Sequence, residues 1–158
     1  MQKIKLNIYF ILLSIILSMG IGSCTPKTKP INLGTDVCEH CKMTIVDAKW
    51  GSEILTTKSK VLKFDVVECM IAYYLQNPDL QKSVHSLWTI NYLNPGEFIN
   101  AREAVYVRSR YFHSPMGLNA VSLKSKSDIA GLGVEEDLKP FNWDYLITLV
   151  KKEIPGTN

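Results

Sequence analysis

The sequence predicts a small α+β domain built from two similar halves. Short β-rich stretches come in groups, a stretch of helical apolar spacing follows each group, and turn residues separate them. The order is strands, helix, strand, then strands and helix again. About 135 residues remain once an N-terminal leader is set aside, the size of one compact domain or two very small ones.

Residues 43–46 and 52–57 are short strand-like segments joined by a turn near Ala48-Lys49-Trp50-Gly51. A third strand is expected over 61–64, after the polar turn Lys58-Ser59-Lys60. Asp65 then has the form of a helix N-cap, with Glu68 three residues on completing a capping box. Val66, Val67, Met70, Ile71, Tyr74 and Leu75 recur at helical spacing and give one apolar face, and Asn77-Pro78 ends the helix. Residues 83–93 read as a strand, Asn94-Pro95-Gly96 as a turn, and 97–101 and 104–108 as further strands. A loop at His113-Ser114-Pro115-Met116-Gly117 precedes a short strand at 120–123. Residues 127–132 form a weak, glycine-interrupted helix, and Asn142 caps a firmer one from Trp143 to about Lys152.

The N-terminus is a targeting segment. Lys3 and Lys5 precede an apolar run over residues 8–21. That run is shorter than the roughly 18–20 residues a membrane-spanning helix needs. It leads through Ile21-Gly22-Ser23 into Cys24, the pattern of a bacterial lipobox in which Cys24 carries the lipid and becomes the first mature residue. Residues 1–23 are then the signal peptide, residues 24–35 a lipidated tether with Pro26 and Pro30, and residues 36–158 the folded domain. The chain is anchored to the cell envelope by lipid rather than by a spanning helix.

The whole chain carries a formal charge of +3, and loss of Lys3 and Lys5 leaves it near +1. Such a balance, with scattered lysines, gives no basic surface for nucleic acid. No Gly-x-Ser-x-Gly, phosphate-cradling glycine loop or His-Glu-x-x-His is present, so nothing in the sequence argues for an enzyme.

Chemistry concentrates in Cys38-Glu39-His40-Cys41-Lys42-Met43. Two cysteines at this spacing can grip one ion, and thiolate with thioether suits copper(I) better than hard cations. Met43 favours copper over zinc, because structural zinc sites draw on cysteine and histidine. The spacing by itself also admits a structural disulfide or a redox dithiol. With Cys24 lipidated, Cys38, Cys41 and Cys69 form an odd set, which points toward metal or thiol chemistry. Met116, between Pro115 and Gly117, is a second candidate sulfur donor or a residue packed under its own loop. His40 and His113 are possible additional ligands or supports for them. Cys69 falls on the apolar side of its helix and reads as a core residue, and His85 as an ordinary core or surface histidine.

At these residues the sequence resembles the NosL family, the copper chaperones associated with nitrous oxide reductase. The matching features are the lipobox ending at Cys24, the Cys38-x-x-Cys41-x-Met43-x-Ile45 run, Phe64-Asp65 with Glu68-Cys69-Met70, and Tyr106-Val107 with Pro115-Met116-Gly117. The stretch Gly131-Leu132-Gly133-Val134 is a looser match. The resemblance implies a periplasm-facing lipoprotein that binds copper(I) and supplies it to the multicopper sulfide centre of that reductase. It implies as partners the reductase itself and a membrane transporter-type maturation complex. It also implies two related ββαβ halves, distantly similar to the organomercurial lyase fold. By position, Cys38, Cys41 and Met43 correspond to the family's N-terminal motif and Met116 to its downstream methionine. The competing function is an envelope thiol-disulfide oxidoreductase using Cys38 and Cys41, which would have no use for a distant methionine. A lyase-like enzyme would need a catalytic acid beside the cysteines and rests on fold analogy alone.

Overall fold

β1 (Ser52–Thr56) is the strand around which the first half is organised in the computed structural model, which describes residues 25–135 and 137–157. β2 (Val61–Phe64) pairs antiparallel along one side, with Ile54 opposite Leu62 and Glu53 opposite Lys63. The chain then forms α1 (Val67–Gln76) and a single turn, α2 (Pro78–Gln81). β3 (Val84–Ile90) returns antiparallel along the other side of β1, and β4 (Phe98–Asn100) adds an edge, giving the order β2-β1-β3-β4.

The second half repeats this path in reduced form. β5 (Val105–Arg108) pairs antiparallel with β6 (Ala120–Leu123), and a 3-10 helix (Lys126–Leu132) follows. Phe141 then comes back along the free side of β5 through one antiparallel bridge to Tyr106. In both halves the first strand is central, the second flanks it, and the chain returns on the opposite side after a helix. The expected α+β organisation in two ββαβ-type halves therefore holds, with the last strand of the second half reduced to a single bridge. α3 (Trp143–Glu153) closes the chain against α1 and β5. Asn142 caps it as expected, its side chain accepting the Tyr145 N–H at 3.1 Å.

Both halves share one core, in which Ile54, Phe64 and Met70 meet Tyr106, Leu123 and Leu146. Thr89 and Ser122 join the two sheets by a hydroxyl–hydroxyl hydrogen bond of 2.8 Å, and the Tyr92 N–H donates to the Ser122 carbonyl at 2.9 Å. Tyr106 is wholly buried, and its hydroxyl donates to the Ala101 carbonyl at 2.6 Å.

Side chains alternate along a strand, so β1 presents two different faces. Ile54 joins the core with α1, whereas Glu53 faces the N-terminal segment. Residues 25–30 have no helix or strand, as two prolines dictate, yet the segment is docked from Lys29 onward. The Lys29 N–H donates to Glu53 Oε2 at 3.1 Å. The Lys63 ammonium, beside Glu53 on β2, donates to the Pro30 carbonyl at 2.7 Å and to Asp36 Oδ2 at 2.6 Å. Ile31 lies over Gly51, where a Cβ would collide with its Cδ1. The expected tether over residues 24–35 is thus partly a strap on the sheet; Cys24 and the signal peptide lie outside the described residues.

Two expectations for local structure are corrected. Asp65 is not a helix cap: the capping residue is Val66, with no side-chain cap bond, and Glu68 turns into the interior instead of back toward the cap. Residues 43–46 are not a strand in a sheet but half of a tight fold-back, bridged only between Val37 and Thr44. The weak helix after Ser125 is of the 3-10 type. It opens on a Ser125–Asp128 capping box and ends at Gly133, whose φ of +66° suits glycine. Among the described residues no helix is long and apolar enough to cross a membrane.

Candidate metal centre

The fold-back at residues 36–45 is held by its own backbone. The Cys38 N–H donates to the Met43 carbonyl at 2.9 Å, the Lys42 N–H to the Cys38 carbonyl at 3.0 Å, and the Ile45 N–H to the Asp36 carbonyl at 2.9 Å. Lys42 makes the reversal in a left-handed conformation, φ +62°, unusual for a residue with a side chain. The Glu39 N–H donates to the Lys63 carbonyl at 2.9 Å, which pins this loop to β2. Since β2 runs straight into α1, the loop comes to lie beside the first turn of that helix, where Cys69 stands.

The result is a cluster of three free thiols. The Sγ atoms of Cys38, Cys41 and Cys69 all lie within 4.8 Å of one another. Cys38 and Cys69 are wholly buried, and Cys41 is half-buried. The Cys38 thiol is lowered to about 5, because the Cys69 thiol donates to it. Burial opposes this, while backbone N–H groups of Asp65, Cys41 and His40 add to it. Cys69 is correspondingly raised: it gives its hydrogen to Cys38, is buried, and sits beside that sulfur's charge. Cys41 is raised chiefly by burial. The cluster thus gathers one readily ionised sulfur among thiols and backbone donors, a soft pocket suited to a soft cation.

Two acids stand close by. Asp65 is buried, its Oδ1 has no partner, and burial with the Cys38 charge and Asp47 pushes its carboxyl up to about 6. Glu68 is wholly buried and pushed up to about 7 by burial, against the hydrogen bond it accepts from Ser114.

The residues expected to form the site are distributed unevenly. Cys38 and Cys41 come together, joined by Cys69, which sequence reasoning had placed in the core. Cys69 is indeed buried, but its sulfur belongs to the cluster. Met43 is 58% exposed; what it contributes to the loop is its carbonyl, bonded to Cys38. Met116 is half-buried against the core on a loop tied to Glu68. His40 is half-buried within the Cys-x-x-Cys turn, His113 is exposed, and exposed His85 meets the Ser86 hydroxyl at 3.0 Å. The signal that could have found Cys69 was its oddness: a third thiol, left over after the pair, in Glu68-Cys69-Met70.

Residues 30–133 match the NosL family. The chain belongs to the NosL family. Among solved structures it is similar to the crystal structure of the copper chaperone NosL from Shewanella denitrificans, with a TM-score of 0.62 and 22% sequence identity. The similarity covers 76% of this chain and 95% of that one. At that identity it establishes a shared fold, which includes the antiparallel sheets that carry the NosL-family chain's cysteine loop. No curated protein matches the chain.

Proposed function

We propose that this NosL-family chain is a copper(I) carrier with no turnover of its own, and that Cys38, Cys41 and Cys69 hold its cargo. The observation that carries the reading is the convergence of three sulfurs from two separate segments, two buried and one half-buried. Thiolates are soft donors that favour copper(I), and among the described residues no fourth cysteine or histidine joins the cluster to complete the usual ligand set of tetrahedral zinc. The half-buried Cys41 leaves an edge at which an incoming ligand can exchange with one sulfur while the other two retain the ion. The fold similarity to a protein described as a copper chaperone supports the same reading.

The finer reading follows from the family resemblance. The carrier is lipidated at Cys24, faces the periplasm, and supplies copper for the multicopper centre of nitrous oxide reductase together with a membrane transporter-type maturation complex. The oxidoreductase alternative fits poorly, because Cys38, the low-pKa sulfur such an enzyme would use, is wholly buried and cannot meet a substrate disulfide. Anaerobic titration of reduced protein against a copper(I) chelator tests the proposal. It predicts one tightly held copper(I) per chain and weak retention of zinc; failure to compete for copper(I) would overturn it.

A further inference from the structure

Glu68 is an expensive residue to place where it is. It is wholly buried on the first turn of α1, immediately before Cys69, and its Oε2 has no partner. A buried carboxylate is costly unless its environment compensates it, and a packed apolar side chain would serve α1 at least as well. Apart from its own backbone N–H, its hydrogen-bond partners lie in one place. Oε1 accepts the Ser114 hydroxyl at 2.5 Å, and the backbone of Leu118 also donates to the carboxylate.

Those two partners are the two ends of the loop that carries Met116. The loop is closed on itself: the Gly117 N–H donates to the Ser114 carbonyl at 3.0 Å, the Asn119 N–H to Ser114 Oγ at 2.8 Å, and the Ser114 N–H to Asn119 Oδ1 at 3.0 Å. Gly117 and Asn119 turn it in left-handed conformations, φ +81° and +57°. The loop is thus held in shape by its own hydrogen bonds, and Glu68 fastens it to the helix of Cys69.

We infer that Glu68 is the positioning residue that fastens the Met116 loop to the helix of Cys69, so that the Met116 thioether can serve the ion held by the three cysteines. The inference rests on the copper(I) reading. Glu68 touches no ion itself and acts only through the loop.

A double-mutant cycle on the full chain tests it, read by anaerobic competition for copper(I). Glu68→Gln keeps the shape and an acceptor oxygen but weakens the charge-assisted bond to Ser114. Met116→Leu keeps the volume and removes the sulfur. Each single change should weaken copper(I) binding about tenfold, and the double variant no more than either alone, because residues acting through one interaction are not additive. Copper X-ray absorption should show the same loss of sulfur scattering in both single variants. Additive losses, or unchanged affinity in a folded Glu68→Gln or Met116→Leu protein, would overturn the inference while leaving the cysteine site intact. If Glu68→Gln does not fold, Ser114→Ala cuts the same link from the loop side and must give the same non-additivity. Wild-type protein that takes up no copper(I) would instead sink the carrier reading itself.

Discussion

The sulfur of Cys69, on α1, lies within 4.8 Å of the sulfur of Cys38, on the N-terminal loop. This contact joins two segments that reach the site by different routes. One is strapped across the outer face of the sheet through Lys63 and Glu53, and the other follows β2 directly into the helix.

Cys69 separates a core residue from a ligand. As a small buried hydrophobe, it would be replaced by alanine at a modest cost in stability and none in copper affinity. As the third sulfur donor, Cys69→Ala should lower copper(I) affinity by at least about a hundredfold, beyond what changes outside the ligand set usually cost. Chelator competition beside a thermal melt reads both quantities on one sample. Unchanged affinity in a folded variant would return Cys69 to the core.

Lys63 is the clasp of the strap. Its ammonium bonds Pro30 and Asp36, and the Lys63 and Asp36 side chains are only 17% and 20% exposed. Lys63→Met should therefore cost about 1.5–3 kcal/mol, the range for hydrogen bonds to charged groups. Its effect should be local: amide hydrogen exchange should speed up at Asp36 and Glu39 while Tyr106 stays protected. Denaturant midpoints and exchange rates check this, and a loss spread evenly over the chain would contradict it.

Glu53 makes stability depend on pH. Burial raises its carboxyl from 4.5 to about 7, opposed by the bond from Lys29. Between those two values the folded chain holds a proton that the unfolded chain has released. Stability from this group is thus fully present below pH 4.5 and is lost as pH rises toward 7. Glu53→Gln should flatten that decline and make the variant relatively more stable above pH 7 than below pH 4.5. Denaturant unfolding of both proteins across the window decides it; parallel profiles would mean that Glu53 does not titrate there.

Cys24 is expected to carry the lipid. Cys24→Ser should leave unlipidated protein or uncleaved precursor, seen by mass and by membrane fractionation. Unchanged fractionation and mass would remove the anchor from the account.

Much of the fold was legible because its signals are local. Alternation marked β5, the Asn142 cap marked the start of α3, and β2 stood out between a polar turn and Asp65. What failed depended on partners distant in sequence. Asp65 and Glu68 have the spacing of a capping box, but a helix start buried under the Ser114 loop makes Glu68 worth more as that loop's fastener. Phe141 completes the second half with one bridge, too short to leave a strand pattern. The strap of residues 29–31 reads as linker because its hydrogen bonds come from Glu53 and Lys63 rather than from its own sequence. At the site, the Cys-x-x-Cys pair was visible by spacing, whereas Cys69 joins it only through the tertiary path of β2 into α1.

The central claim, that three cysteine sulfurs hold copper(I), is tested most directly by copper X-ray absorption on anaerobically loaded wild-type and Cys69→Ser protein. The account predicts copper(I) in a sulfur-dominated environment in the wild type, with one fewer sulfur in the variant. Nitrogen- or oxygen-dominated coordination, or identical spectra from the two proteins, would contradict it.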